Sequence, residues 1–293
     1  MKKINRIAIL IISVLIVFES CSVQDHLRPA ASDPYSNCLL IQDYDIAIIK
    51  IQPDSKLKVG DTHPGPSGFG EIVGKVTEII DINGQKYALA QGGVGGNDYG
   101  YDSQGRVSHY VTDYFLERGA PTYDYAYEPG KIIEKYQNAG LTPVYTTTYT
   151  LNEYGLIPAK DVTYDKDGYE IERRFLIDYE GTTGYTKKTI LDGNVVKTET
   201  KDKSGEYFTT YEYDLTKPNL PNPLPFLGKK DRNLLIKTTT VYTKIADSST
   251  STNSSIEYRY TFDGDGKVIQ KFAISTYDGK QNVSARSYKY KCQ

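Results

Sequence analysis

Tyr99-Gly-Tyr101-Asp102-Ser-Gln-Gly105-Arg-Val107 is the stretch that decides the fold. Side chains alternate across a strand, so Tyr99 and Tyr101 share one face. Asp102 is placed to accept bonds from the turn's own N–H groups, and Gly105 supplies the positive φ that closes the turn. Val107 then opens a return strand. Tyr260-Thr-Phe262-Asp263-Gly-Asp-Gly266-Lys-Val268 matches it position for position. Looser copies are Tyr125-Ala-Tyr127-Glu-Pro-Gly130-Lys-Ile132, Tyr149-Thr-Leu151-Asn152-Glu-Tyr-Gly155-Leu-Ile157 and Val162-Thr-Tyr164-Asp165-Lys-Asp-Gly168. Each predicts an antiparallel hairpin. Shorter turns of the same chemistry stand at Ile82-Asn83-Gly84, Asp192-Gly193-Asn194 and Asp278-Gly279-Lys280.

Between the turns the runs alternate. Ile171, Arg173, Phe175, Ile177 and Tyr179 fall on one face and Glu172, Arg174, Leu176 and Asp178 on the other, so one side is mostly apolar and the other polar. Ile236 to Ile245 and Phe208 to Tyr213 are rich in β-branched and aromatic residues, and no run outside the first 20 residues has a helical period. The expectation is an all-β chain, a long antiparallel meander of about 12 to 16 strands forming one curled or partly barrel-like sheet. A membrane barrel is disfavoured because Thr, Lys and Glu interrupt both faces of the later strands, where a continuous lipid-facing band is needed.

Composition agrees. In 293 residues there are 27 Tyr, 8 Phe and no Trp, with 25 Gly and 13 Pro to punctuate the strands. The chain is long enough to bury a core. A net charge of −2, from 35 Lys and Arg against 37 Asp and Glu, excludes the basic surface that nucleic acid requires.

The N-terminus reads as an address. Lys2, Lys3 and Arg6 precede a 12-residue apolar run, Ile7 to Phe18, which is too short to span a bilayer and ends at Glu19-Ser20-Cys21. This resembles a bacterial lipoprotein signal in the loosened form of Bacteroidetes, which implies that residues 1–20 are removed and Cys21 carries lipid. Without the leader, 32 basic and 36 acidic residues remain, a net −4, so the acyl chains alone would hold the membrane. Residues 21–40 read as the lipidated cysteine and a flexible tether, with Pro29 and Pro34 and no hydrophobic period. The alternative is an ordinary signal, with Cys21 a plain thiol.

If Cys21 is lipidated, Cys38 and Cys292 are left as an even pair in an oxidising compartment, and they are expected to form a disulfide rather than remain two buried thiols. Residues 41–293 read as a single all-β domain interrupted by a Pro-rich crossover at 214–235. Pro218, Pro221, Pro223 and Pro225 forbid a central strand there, while Leu220, Leu224 and Phe226 argue that the segment packs on the sheet. Ala246 to Ser255 reads as an exposed loop.

These features together resemble a family of Bacteroidetes lipoproteins of unknown function described as having a porin-like fold: the leader, the Tyr-x-Tyr-Asp hairpins, the crossover ending near Phe226-Leu227-Gly228, then Asn233-Leu234-Leu235 and the last Tyr-x-Phe-Asp hairpin. The hairpins also resemble the tyrosine-aspartate repeats of bacterial surface proteins. The resemblance covers roughly residues 40 to 293, implies a curled antiparallel sheet and brings no catalytic residues.

Chemistry-bearing patterns are few. His26, His63 and His109 have no metal-ligand spacing, and Ser108, His109 and Asp113 lack an oxyanion site. Gly92 to Gly96 fails the dinucleotide spacing and Gly65 to Gly70 the nucleophile elbow. Asp165, Asp167 and Glu170, and Asp263 with Asp265, sit where turn chemistry explains them better than calcium or a glycosidase pair. No cofactor or metal and no enzymatic activity are expected.

What remains is a lipid-anchored outer-membrane protein, periplasmic or surface-facing. It is expected to bind a glycan or an envelope protein through Tyr99, Tyr101, Tyr125, Tyr127, Tyr260 and Phe262. The alternative is a structural or assembly lipoprotein with no small-molecule ligand, in which these tyrosines only stabilise the sheet by cross-strand pairing.

Overall fold

The computed structural model describes residues 33–64, 73–90, 95–112, 120–138, 143–176, 181, 183–203, 205–244, 250–277 and 280–292. The leader, Cys21, His26, residues 65–70 and 92–94, Asp113, Ile177, Tyr179 and the Asp278-Gly279 turn lie outside the described residues. The described strands are β1 (Cys38–Lys50), β2 (Thr62–Pro64), β3 (Val73–Ile82), β4 (Gln85–Ala90), β5 (Gly96–Tyr101) and β6 (Val107–Thr112). There follow β7 (Thr122–Glu128), β8 (Lys131–Gln137), β9 (Tyr145–Thr150), β10 (Val162–Tyr164), β11 (Glu170–Leu176) and β12 (Thr183–Leu191). The last are β13 (Asn194–Lys201), β14 (Gly205–Pro218), β15 (Asn233–Lys244), β16 (Thr250–Phe262), β17 (Val268–Tyr277) and β18 (Lys280–Cys292).

All pairings are antiparallel, so the all-β reading holds; the strands number 18 among the described residues, against the expected 12 to 16. The order is not a simple meander. β10 through β18 pair in sequence, but β1 then inserts beside β18, and its other edge meets β5 and β4. From β5 the sheet continues through β6, β7, β8 and β9. From β4 a short arm continues through β3 to β2. No ladder joins β9 to β10 among the described residues, so the sheet is open.

Cys38 is the register partner of Cys292, and the two are bonded as expected, with α-carbons 4.1 Å apart. The tether expected over 21–40 ends earlier than that: residues 34–37 form a turn in which Tyr35 is buried, its hydroxyl accepting the Val268 N–H at 3.0 Å. Hydrophobic burial thus recruits the tether's end into the body.

The Asp turns form as read. The Asp102 carboxylate accepts the Gln104 and Arg106 N–H groups, Asp165 those of Asp167 and Tyr169, and Asp263 those of Asp265 and Lys267, each at 2.9 to 3.0 Å. Asn152 does the same for Tyr154 and Leu156. That copy, however, has no return strand: the Ile157 N–H bonds to Phe226 O at 2.8 Å instead, because a crossover carbonyl is the nearer acceptor. Two further expectations are corrected. β14 extends to Pro218 and β15 starts at Asn233, so the crossover spans 219–232 rather than 214–235. Residues 250–255, expected in an exposed loop, belong to β16, where β15 supplies their backbone partners.

Two cores result, one on each face. Under the β3–β4 arm, Ile82, Tyr87 and Leu89 pack on Phe272, Ile274 and Ala285 of β17 and β18. On the opposite face, Phe226 from a short 3-10 turn in the crossover packs on Val107, Tyr125 and Ile132. The crossover is fastened at its end by a buried pair, Asn194 and Asn233, in which the Asn194 amide donates to Asn233 at 3.0 Å and accepts the Asn233 N–H at 2.9 Å.

Candidate ligand-binding face

Residues directly opposite each other in a ladder share a face. Tyr99 pairs with Tyr110, Tyr110 with Tyr123, Tyr123 with Tyr136, and Tyr136 with Tyr145, which sets five tyrosines in a row across β5 to β9. Ring centroids are 5.4, 5.3, 5.0 and 6.3 Å apart along the row. The row follows from register: the two-residue Pro129-Gly130 turn alone sets Tyr123 opposite Tyr136. Neighbouring rings lie against one another, so the inner rings are only partly exposed, while Tyr145 at the edge is largely exposed.

A second pattern uses hydroxyls. Tyr101 donates to Leu40 O, Tyr127 to Val107 O, Tyr213 to Val195 O, Tyr260 to Leu235 O and Tyr290 to Val268 O, at 2.6 to 2.8 Å. When each ladder's register is extended, the tyrosine lies one residue beyond the partner of the carbonyl it reaches. Burial pushes the Tyr127 phenol up to about 12 and raises the other four as well. These groups stay neutral donors at physiological pH.

Five of the six expected binding residues have internal partners. Tyr99 donates to Asp43 at 3.0 Å, Tyr101, Tyr127 and Tyr260 latch carbonyls, and Tyr125 is buried edge-on against Phe226 at 5.1 Å. Phe262 is partly exposed, with the Lys217 ammonium 5.1 Å over its ring. Tyr99, Tyr101, Tyr125 and Tyr127 share one packed cluster; Tyr260 and Phe262 on β16 lie apart from it.

Between the crossover and the hairpins runs a cleft of about 560 Å³. Tyr101, Tyr127, Tyr154 and Tyr169 line it, with Pro221, Pro223 and Phe226 from the crossover and the cations Arg106, Lys229 and Lys230. Cation and ring meet twice there: the Arg106 guanidinium stands 4.2 Å over Tyr127, and the Lys229 ammonium 5.3 Å over Tyr169. Tyr154, Tyr169, Lys229 and Lys230 were not legible as site residues, because strands distant in sequence and the crossover bring them together.

Further along the same face lies a polar cluster. Buried Asp43 accepts from Asn97 at 2.7 Å and from Tyr99, and lies 3.4 Å from Arg286; Tyr110 donates to Asn97 at 2.9 Å. Among the described residues no group of three or more His, Cys, Asp or Glu side chains is arranged to hold a metal ion.

No family model matches the chain, and no curated protein matches it. Among solved structures, a porin-like protein from Bacteroides uniformis is similar with a TM-score of 0.43 and 16% identity, over 73% of this chain and 94% of that one. A porin-like protein from Bacteroides vulgatus is similar with a TM-score of 0.29 and 11% identity, over 86% of this chain and 98% of that one. Neither likeness carries a function over.

Proposed function

We propose that the chain is a lipid-anchored, non-enzymatic protein of the outer membrane that binds a ligand in the cleft between the crossover and the tyrosine-bearing hairpins, glycans being the first class to test. The observation that supports this is the cleft itself. Its volume falls within the range of small-molecule sites, and aromatic walls with a few convergent cations are the usual composition of such sites. The row of tyrosines offers a sugar little ring surface, and of the six residues expected to bind, Tyr101 and Tyr127 line the cleft. A purified full-length chain on a glycan array tests the reading. Retention of one glycan class, weakened at least tenfold by Tyr154→Ala or Lys229→Ala, supports it.

The carbonyl latches favour a second reading, a structural or assembly lipoprotein with no ligand. An array on which nothing is retained, with both variants folding normally, selects that reading. The anchor is tested separately: Cys21→Ala is expected to abolish labelling by a fatty-acid probe, and unchanged label would remove the lipoprotein claim.

A further inference from the structure

On the tyrosine-bearing face, β17 and β18 place Lys271 directly opposite Arg286. Like charges in that position destabilise a sheet pair. Arg286 is compensated, with Nη1 3.4 Å from Asp43 and Nε 3.0 Å from Asp45. Lys271 is not. Among the described residues no carboxylate lies within ion-pair distance of it, and its ammonium stands 4.5 Å over the Tyr258 ring. Lys230 reaches in from the crossover, also without a carboxylate at ion-pair distance among the described residues, and it is near enough to act on the Lys271 charge. Lys230 itself is exposed to water and lines the cleft beside the crossover. Desolvation pushes both ammonium groups below the usual lysine range; for Lys271 the neighbouring Arg286 and Lys230 charges add to it, while for Lys230 the Asp43 carboxylate opposes it.

Beside Lys271 and Arg286 is a cavity of about 510 Å³, lined also by Asp45, Ser284 and Tyr288. The Ser284 and Tyr288 hydroxyls donate to no other described residue. Three cations, Arg286, Lys271 and Lys230, thus share two acids, Asp43 and Asp45, both of which lie nearest Arg286, and the excess positive charge stands beside two free donors.

We propose that this cavity binds an oxyanion, a carboxylate or phosphate borne by a small polar ligand. Lys271 and Lys230 supply the charge, Ser284 and Tyr288 donate hydrogen bonds, and Arg286 is a fixed wall held by its two aspartates. A bound oxyanion relieves the cross-strand repulsion that the apo sheet tolerates. The site stands apart from the proposed cleft: Lys230 lines that cleft and not this cavity, on which it acts through its charge, so failure of glycan binding in the cleft leaves the proposal untouched.

Isothermal titration of the full-length chain in detergent with glucuronate, glucose and inorganic phosphate tests it, alongside Lys271→Gln, Lys230→Gln and Lys271→Arg. Saturable binding of at least one oxyanion is expected, weakened tenfold or more in both Gln variants and restored in Lys271→Arg. Glucose should give no heat. Lys271→Gln should melt no lower than the parent, since it removes a repulsion, and this separates lost binding from lost folding. Response to glucuronate alone identifies a carboxylate ligand, and response to phosphate alone a phosphate ligand. The proposal is overturned if neither oxyanion binds at millimolar concentration, if binding survives both Gln substitutions, or if glucose binds as well as glucuronate.

Discussion

The strands β16 to β18, β1 and β3 to β8 bury Leu89, Val107, Ile132, Val268, Phe272 and Ile274, while β10 to β14, of similar length and hydrogen bonding, bury no hydrophobic side chain among the described residues. The first group has a cover on each face, the β3–β4 arm on one and the crossover on the other. The second is a single layer open to water on both faces. Cross-strand pairs hold it: Thr186 with Thr200 at 3.1 Å, Tyr185 with Glu199 at 2.8 Å, Lys188 with Glu170 at 2.9 Å, and Tyr207 stacked near Tyr242 at 4.6 Å. Phe175 lies over its register partner Gly184, where an added Cβ would meet the ring at 2.6 Å. Such pairs contribute roughly 0.2–1 kcal/mol each, far less than a buried Leu or Phe. The cleft beside the crossover and the cavity at Lys271 lie in the covered half, whereas a third hollow, of about 410 Å³, sits on the single layer and is lined by side chains of β10 to β13, Glu172, Lys187, Lys188 and Glu199 among them.

The largest expected effect is from the Cys38–Cys292 bond, which ties β1 to β18 inside the covered half. Removing it by Cys38→Ser with Cys292→Ser should cost up to about 5 kcal/mol, the chain-entropy limit for a loop of this length. Thermal melting of reduced and oxidised chain reads it, and an unchanged midpoint would mean that β1 and β18 hold each other without help.

Core truncation sharpens the comparison next. Leu89→Ala, at a fully buried site, should cost about 2–5 kcal/mol, while Leu176→Ala, at a position 74% exposed in β11, should stay within about 0.5 kcal/mol. Urea unfolding of both variants is the check. Equal losses would show that the single layer hides a core of its own.

The latches occur in both halves and should matter alike. Tyr127→Phe and Tyr213→Phe each leave a carbonyl without its donor, for about 1 kcal/mol apiece.

The smallest effect concerns the turns. Backbone N–H bonding, chiefly from Arg106, holds the Asp102 carboxyl below the usual aspartate range despite an opposing desolvation effect. A depressed folded pKa stabilises above the unfolded value and loses that contribution as pH falls through the folded one, so the parent should weaken below about pH 4. Asn152 closes the same turn with an amide. Asp102→Asn should therefore change little at pH 7 and flatten the acid limb of a melting series.

These contrasts also mark what the sequence makes legible. Hairpins, Asp turns and the crossover are local, written in Tyr99 to Val107 and in four closely spaced prolines. With Cys21 set aside as the expected lipid site, Cys38 and Cys292 were the pair that pointed to the disulfide. Insertion of β1 between β18 and β5 is not legible, because nothing local in Cys38–Lys50 names its partners. The tyrosine row becomes visible only once register is known. The same holds for Lys271 and Arg286, whose pairing follows only from the register that sets Tyr277 opposite Lys280. The lack of core in β10 to β14 is not legible, because Ile171 and Phe175 share a face as residues of a covered strand do. Alternation reports a strand's faces, whereas burial depends on what arrives to cover them.

Native-state hydrogen exchange with mass-spectrometric readout tests this account of the fold most directly. Amides of β17, β18, β4 and β6 to β8 are expected to exchange only through global opening, and those of β11 to β13 through a cheaper opening of the single layer, at least tenfold faster at equal intrinsic rates. Uniform protection across β11 to β13 and β17 to β18 would contradict it, and would mean that the open layer is held by something other than its cross-strand pairs.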